Sequence, residues 1–252
     1  WPIVLASLLQ LLLPAANFLH VWAWTFLAVF LHVFVDIFNA YGTQALRPFS
    51  KHWVALGVIN TFDPNIFIAH VIAIAFWTFG FNPLIVFLSL YTLIFGYYIL
   101  RFAVKSAVKH AVRNRLPDAT EIIISPTIRF FQWRIVASSE EHHYVGRAYG
   151  RAITIYDQFE REPLPKLPEV DAAFKDRNVK AFTEFSPIYR WEITKHKDLC
   201  EIRLIDLRYR SNDYYPFVAV AHVDEQLNVV NSYTGWIFSD EKLNKKLKFI
   251  SH

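Results

Sequence analysis

The chain has 252 residues, of which 54% are hydrophobic and 19% are charged, and its formal net charge is +4. Its single cysteine, Cys200, excludes an internal disulfide and a metal knuckle built from paired cysteines. The absence of a phosphate-cradling glycine loop, a dinucleotide-binding glycine motif and a GxSxG motif argues against P-loop ATPases, Rossmann enzymes and serine hydrolases.

Charge is distributed unevenly along the chain. The first hundred residues contain four charged side chains, whereas charges of both signs are frequent afterwards. The four are Asp36, Arg47, Lys51 and Asp63. This shift predicts an α-helical polytopic membrane bundle at 1–102, a basic helical stem at 103–116, and a cytoplasmic, mostly β (α+β) domain at 117–252.

Four apolar stretches predict about four membrane spans. They lie at residues 3–13, 17–38, 66–79 and 84–100. Asp63 and Pro64 form a typical helix start, with Asp as the N-cap and Pro in the first turn. Basic side chains follow the second and fourth stretches, at Arg47, Lys51 and within 101–115, whereas the other two connections carry no charge. By the positive-inside rule, the C-terminal domain lies in the cytoplasm of a multi-pass inner-membrane protein.

Short alternating apolar runs in the second half predict strands. They fall at 121–125, 130–137, 144–149, 153–159, 189–194, 200–209, 217–223 and 229–233. Helices are predicted at 170–177, at 178–185 and from Ser239 onward, the last with Asp240 and Glu241 in its first turn.

Two polar clusters in this domain have alternative interpretations. His142 and His143 follow two glutamates between predicted strands, where a solvated turn is favoured over a metal site. Arg208, Tyr209 and Arg210 either recognise an anionic headgroup or form the solvated face of a strand.

His32 and Asp36 lie near the end of the second apolar stretch. On an α-helix, residues 32, 36 and 39 share one face, so these two side chains and Asn39 form a polar stripe. The Asp alone costs roughly 2.5–3.5 kcal/mol at the centre of a membrane span, which suggests a function. An i, i+4 His/Asp pair can supply two ligands to one divalent metal ion, zinc ahead of manganese. The alternative is a hydrogen bond that serves helix packing alone.

Further polar residues flank this pair. Asn39 either orients water or binds metal, or it caps the end of the helix. Asp63 either belongs to the site or serves as the N-cap of the third span. The turn at 41–43, with Ser50, either borders a substrate cleft or forms an interfacial turn in which Gly42 takes a positive φ.

The stretch HVFVDIFNAYGTQALRPFS, followed by INTFDP, resembles the YdjM/YfhP group of bacterial membrane-bound proteins. The shared pattern is His32-x3-Asp36-x2-Asn39-x-Tyr41-Gly42-Thr43, then Pro48-Phe49-Ser50 and Asp63-Pro64. The second half, including FSPIYRWE and NSYTGWIFS, resembles the extended YfhP-type branch found in bacilli. The resemblance covers essentially the whole chain.

The resemblance implies metal-dependent hydrolysis, because the group is distantly related to helical zinc phospholipase C and P1-type nucleases, which hydrolyse phosphoesters with clustered divalent metals. It assigns His32 and Asp36 as a His-x3-Asp ligand pair. Members begin with a histidine-bearing helix and a HRGxTHS-like segment, and this sequence, which has no methionine, contains neither. We therefore expect an N-terminally truncated chain whose missing part holds most of the metal site.

The leading hypothesis is a membrane-bound metal-dependent hydrolase that acts on a membrane-proximal phosphoester. It assigns His32 and Asp36 as metal ligands, Asn39 and Asp63 as catalytic residues, and Tyr41, Thr43 and Ser50 as substrate-binding residues. The alternative is a non-catalytic regulatory or scaffold protein whose cytoplasmic domain binds a partner protein. A transporter is disfavoured because the sequence shows no inverted repeat. Membrane lipids are expected partners, and nucleic acid is not, since the basic residues concentrate after the last span.

Overall fold

A computed structural model describes residues 1–239, 241–243 and 247. Its helices are α1 (Pro2–Leu12), α2 (Phe18–Asp36), α3 (Pro64–Thr78), α4 (Pro83–Arg115), α5 (Pro168–Ala173) and α6 (Arg177–Phe185). Its strands are β1 (Glu121–Pro126), β2 (Gln132–Ser138), β3 (His142–Tyr149), β4 (Ala152–Glu160), β5 (Tyr189–Lys195), β6 (Leu199–Asp206), β7 (Phe217–Asp224) and β8 (Val229–Trp236). The chain forms two compact units, one of residues 1–103 with 126–128 and one of residues 104–125 with those from 129 onward.

The first unit is built from apolar helices. Among the described residues, α2 with 19 residues and α4 with 33 are long and apolar enough to cross a membrane. No residue of α2 is buried within the protein, and large side chains such as Phe26, Phe30 and Phe34 are exposed, as expected for a lipid-facing helix. The apolar helices α1 and α3 have 11 and 15 residues, fewer than the roughly 20 that span a bilayer. Two of the four predicted spans therefore meet the length criterion.

Local sequence sets the helix starts in this unit. The Asn17 side chain accepts a hydrogen bond from the backbone N–H of His20 and so caps α2. The carboxylate of Asp63 accepts from the N–H groups of Asn65 and Ile66, at 2.9 and 3.3 Å, and Pro64 opens α3. The predicted start of the third apolar helix is confirmed.

Helix α4 continues through the basic stem without a break, which confirms the prediction that residues 101–115 are helical. Arg113 and Arg115 lie in its last turn, where cations interact favourably with the helix dipole. In the second unit, Val108 and Val112 are fully buried and pack in one cluster with Trp133 of β2. The stem is thus part of the core of the β unit.

The second unit contains two four-stranded antiparallel sheets, each a simple meander in chain order. All eight predicted strands are confirmed, with ends that shift by a few residues. Alternating aliphatic side chains of both sheets meet in one core, in which Val136 and Val145 pack with Ile205 and Val220. Helices α5 and α6 cover the second sheet, and Phe182 of α6 stacks on Phe217 of β7.

Two interpretations of polar residues in this unit need correction. His142 and His143 lie in strand β3 and not in a solvated turn, and His143 is 8% exposed because its strand partner Ser138 bonds its ring at 2.7 Å. Burial and the nearby Arg161 guanidinium lower the pKa of His143. Strand β6 ends at Asp206, because this carboxylate binds the backbone and guanidinium of Arg208 and turns the chain.

The C-terminal helix is described in part. Residues 241–243 are helical, whereas Asp240 and the predicted helix beyond Leu247 lie outside the described residues.

A hydrogen-bonded cluster around Asp157 joins the two sheets of the β unit. The Asp157 carboxylate on β4 accepts from the guanidinium of Arg210 at 2.5 Å and from the hydroxyl of Tyr215 at 2.6 Å. Burial alone would raise the pKa of Asp157, but the hydrogen bonds from Arg210 and Tyr215 hold it below its ordinary value. In return, burial and the bond to Asp157 raise the pKa of the Tyr215 phenol.

We expect replacement of the Asp157 carboxylate to cause a pH-dependent loss of stability. An Asp whose pKa is lowered by folding stabilises the fold above its unfolded-state pKa of about 4, and this contribution is lost as pH falls through the lower folded-state value. At pH 7, Asp157→Asn is expected to cost about 1 kcal/mol, or about 2–4 °C in Tm, because the ion pair is partly exposed. The Tm difference from the parent chain should shrink by pH 3, as followed by circular dichroism of the β signal.

Asp118→Asn is the matched control, because Asp118 is exposed and carries no ion pair among the described residues. A Tm deficit of Asp157→Asn that stays constant between pH 7 and pH 3 would contradict the assigned ionic role.

Candidate functional site

The His32/Asp36 pair lies at the last turn of α2. His32 Nε2 is 3.5 Å from Asp36 Oδ2, and the two side chains are 79% and 35% exposed. The i, i+4 spacing on one helix face brings the two groups together, as the sequence predicts. The imidazole is therefore accessible and has no close packing that would fix a purely structural role.

Asn39 lies beyond the end of α2, so the expectation that it continues the helix face is wrong. The helix ends at Asp36 because the chain turns over the next two residues. The Asn39 amide nevertheless reaches back and donates to Asp36 Oδ1 at 3.2 Å. Its carbonyl oxygen accepts from the N–H groups of Tyr41 and Gly42, at 2.9 and 2.6 Å, so Asn39 holds the turn that follows the helix.

A second backbone segment fixes this turn. The N–H groups of residues 56–59 donate to the carbonyls of residues 37–39 in four hydrogen bonds of 2.6 to 3.1 Å. Val58 is fully buried, and its carbonyl accepts from Arg101 Nε of α4 at 2.8 Å. The Arg101 side chain is 1% exposed, so this arginine, counted in the sequence as part of the basic stem, is a buried structural group.

These elements surround a cleft of about 290 Å³. Four polar side chains of interest line it: Asp36, Asn39, Asp63 and His70. The structure thus brings three of the predicted site residues to one cleft and places His32 in contact with Asp36. Sequence analysis did not select His70. The signal was its position two helical turns after Asp63, which puts both on one face of α3.

Asp63 is strongly engaged in the structure. One carboxylate oxygen caps α3, and the other accepts from the Tyr97 hydroxyl of α4 at 2.8 Å. Both oxygens therefore have partners that hold the wall of the cleft. The structural alternative raised for this residue accounts for its contacts.

The predicted substrate-binding residues lie in the loop that follows the turn. Thr43 pairs with Val54 in a short antiparallel bridge, and the Ser50 hydroxyl accepts from the N–H of His52 at 3.1 Å. Tyr41, Thr43 and Ser50 are described but fall outside the set of residues that lines the cleft. Their role in substrate binding stays a prediction.

The donor atoms of the pair suit one metal ion in spacing but do not complete a site. Two ligands of a tetrahedral zinc ion, each at about 2.0–2.1 Å, lie about 3.3 Å apart, close to the observed 3.5 Å. Within the part of the chain that the structure describes, no three His, Cys, Asp or Glu residues form a group that could hold a metal ion. The described residues therefore supply two donors of the three that a catalytic zinc site takes.

Comparison with known proteins adds to this geometry. Models of three families match the chain: YdjM inner membrane protein at residues 1–107, the YfhP middle domain at 117–159 and the YfhP C-terminal alpha/beta plait domain at 168–247. YfhP of Bacillus subtilis strain 168, which is described as an uncharacterized protein, is 54% identical over 249 residues. This alignment covers 98% of the chain and 76% of YfhP.

The chain belongs to the YdjM/YfhP family. The YdjM match spans the apolar helices and the cleft, so the chain is a membrane protein of an inner-membrane family with two candidate spans. The match to the YfhP middle domain covers β1 to β4 except for the last residue of β4, and the match to the C-terminal domain covers α5 to β8. Each match therefore corresponds to one of the two sheets. The family resemblance predicted from the His32–Asp63 motifs is confirmed.

A solved structure of a candidate lipoprotein from Clostridium difficile 630 covers 50% of this chain and 89% of its own, at 10% identity and a TM-score of 0.17. A similarity at this level carries no argument about fold or function.

The turn at Gly42 supplies a test of the architecture around the cleft. Gly42 has φ +69°, and an added Cβ would lie 2.3 Å from the carbonyl oxygen of Val54. Gly42→Ala should therefore break the Thr43–Val54 bridge and speed tryptic cleavage after Lys51 in this loop by at least about fivefold, the factor that corresponds to 1 kcal/mol. Limited proteolysis in detergent micelles measures this rate.

Gly80→Ala is the matched control. Gly80 also has a positive φ, +89°, but an added Cβ meets no atom within 4 Å. Equal acceleration in the two variants would show that a general loss of stability, and not the close approach to Val54, exposes the loop.

Proposed function

We propose that this chain is a membrane-bound metal-dependent hydrolase, and that the cleft at the end of α2 is its reaction site. The observation that carries the proposal is the pairing of His32 Nε2 with Asp36 Oδ2 at 3.5 Å beside a cleft that Asp36 itself lines. An accessible imidazole and a carboxylate at this spacing are the donor types that divalent zinc and manganese accept.

In this proposal, the polar residues of the site have different roles. His32 and Asp36 would hold a divalent ion, zinc ahead of manganese, and this ion would supply the Lewis acidity for activating water and polarising a phosphoryl oxygen. Asn39 bonds Oδ1 of Asp36 and thereby leaves Oδ2 directed at the imidazole. We assign Asn39 and Asp63 to the positioning of the site, since Asp63 holds α3 and α4 together at the wall of the cleft.

The lining of the cleft favours a substrate at the membrane surface. Apolar side chains make up most of the lining besides the polar set, and they include Val35, Phe62, Ile66 and Phe67. Such a surface suits the apolar part of an amphiphile next to its polar head. A membrane-proximal phosphoester meets both requirements, and membrane lipids are then natural neighbours of the site.

The topology of the proposal is multi-pass, with the β unit in the cytoplasm. The charges after the last apolar stretch support this orientation, as Lys105, Lys109, Arg113 and Arg115 all lie on the C-terminal part of α4. Helices α1 and α3 are short, and in this proposal they cross with the help of flanking apolar residues.

The third ligand of the metal comes, in this proposal, from the histidine-bearing segment that the family resemblance implies. The aligned region accounts for 76% of Bacillus subtilis YfhP, so that relative contains residues that have no counterpart in this alignment.

The test combines metal content with hydrolysis. The complete protein, purified in detergent without added metal, should contain a divalent ion by mass spectrometry and hydrolyse a chromogenic phosphodiester. His32→Ala and Asp36→Asn should each lower metal content and activity by at least about tenfold, since even outer partners of a metal site cost 10–100-fold. Asp36→Asn keeps an acceptor for the Asn39 amide, so the fold is retained.

His20→Ala is the matched control, because His20 lies on the same helix and contacts Trp24 instead of a carboxylate. Wild-type protein without a divalent ion, together with His32 and Asp36 variants that only lower Tm, would refute the hydrolase. That result would instead favour the non-catalytic scaffold whose β unit binds a partner protein.

A further inference from the structure

A second cleft lies within the β unit and has no part in the proposed hydrolase site. Its volume is about 280 Å³, and strands β2, β3 and β4 line it together with the segment that follows β6. Four of its lining residues are arginines: Arg134, Arg147, Arg208 and Arg210. This concentration of guanidinium groups in one concave site is the starting point for the inference.

Two of the four arginines are neutralised by carboxylates. Arg208 forms a bidentate pair with the fully buried Asp206, in which Nε donates to Oδ1 at 3.1 Å and Nη2 to Oδ2 at 2.6 Å. Arg210 binds Asp157 at 2.5 Å and Asp213 at 2.7 Å. The Asp213 side chain is 97% exposed, so water screens much of its charge.

The other two arginines repel each other. Arg134 of β2 and Arg147 of β3 are direct cross-strand partners, which places their Cβ atoms about 4.5–5.5 Å apart. Among the described residues, neither forms a salt bridge to a carboxylate, and Arg134 Nε is buried with no hydrogen-bond partner. Like charges in this position destabilise a sheet, and a buried unbonded donor adds a desolvation penalty.

An aromatic ring and a close backbone approach surround these arginines. The ring of Tyr156 lies beneath two guanidinium groups, that of Arg210 at 4.8 Å and that of Arg147 at 5.9 Å from its centroid. Gly146, next to Arg147, approaches β4 so closely that an added Cβ would lie 2.3 Å from the carbonyl oxygen of Thr154. These contacts restrain Arg147 and Arg210 before any ligand binds, which lowers the entropic cost of binding.

We propose that this cleft binds the phosphoryl group of a phosphorylated small molecule, with Arg134 and Arg147 as its principal donors. A phosphoryl dianion neutralises the two uncompensated charges, and its oxygens match the planar fork of a guanidinium. The buried Nε of Arg134 gains an acceptor when the anion binds. A merely solvated strand face does not explain this buried donor.

The test is calorimetric titration of the full chain in neutral detergent, with inorganic phosphate and pyrophosphate as probes at low ionic strength. Pyrophosphate is expected to bind, and Arg134→Gln or Arg147→Gln to weaken its Kd at least about tenfold, the loss typical of a charge-assisted bond. Competition by phosphatidic acid in mixed micelles would identify a lipid headgroup as the source of the phosphoryl group, and lack of competition a free molecule.

Arg151→Gln is the matched control, because Arg151 lies in the exposed turn between β3 and β4 and loses the same charge. Thermal unfolding without ligand gives a second readout, in which variants that bind pyrophosphate more weakly are expected to have a higher Tm. Because the repulsion is relieved, Arg134→Gln and Arg147→Gln should raise Tm by about 2–4 °C, whereas Arg151→Gln should leave it unchanged.

Two results would overturn the proposal. One is the absence of pyrophosphate binding to the parent chain at low ionic strength. The other is equal weakening by all three variants, which would reduce the effect to net charge. Loss of binding with a raised Tm in the Arg134 or Arg147 variant excludes misfolding as the cause and supports the site.

Discussion

The buried hydrogen bond from Arg101 to the carbonyl of Val58 is the constraint on which the cleft at the end of α2 depends. The long connection between α2 and α3 has little regular structure, and its backbone groups need partners wherever they leave water. Arg101 supplies one from α4, and the N–H groups of residues 56–59 bond the carbonyls of residues 37–39, which follow the end of α2. A guanidinium is always charged and carries several donors, so no apolar residue could take its place.

Charge is rare in the first unit, and its polar groups are organised by contact with one another. Asp36 is shared between His32 and Asn39, and Asp63 between the start of α3 and Tyr97. In a region of low dielectric, a polar side chain without a hydrogen-bond partner costs free energy. These contacts therefore allow the helices to contain the polar side chains. A cleft lined by such residues gains polar chemistry while each of the two carboxylates keeps its partners.

The β unit follows the same rule at Asp157 and Asp206, whose carboxylates pair with Arg210 and Arg208. The exception is the cross-strand pair of arginines on β2 and β3. Arg208 and Arg210 have carboxylate partners, whereas Arg134 and Arg147 stand opposed without one among the described residues, which costs stability at that point. Such a local loss is characteristic of binding sites, where the free energy is recovered when the ligand arrives.

Much of the fold could be predicted because its signals are local. Alternating apolar residues identified all eight strands, and Asp63-Pro64 identified the start of α3. Burial at His143 depends on pairing with Ser138 across a hairpin, and the role of Arg101 depends on a partner that is distant in sequence. The reach of Asn39 back to Asp36 depends on a turn beyond a helix end, so none of the three could be predicted. An i, i+4 pair such as His32 and Asp36 is visible in sequence because one helix positions both groups.

The two clefts illustrate the same limit at the level of sites. His70 joins Asp36 in one cleft only because α2 and α3 meet there, and Arg134 meets Arg147 only through the register of β2 with β3. The spacing of these residues along the chain does not indicate that either pair lies close together in the fold. A sequence therefore shows which chemistry a segment can offer, whereas the number of groups that converge on one ligand is decided by tertiary packing. In the proposed metal site, the further ligands would come from another segment brought to the end of α2, and the exposed imidazole of His32 leaves room for that contact.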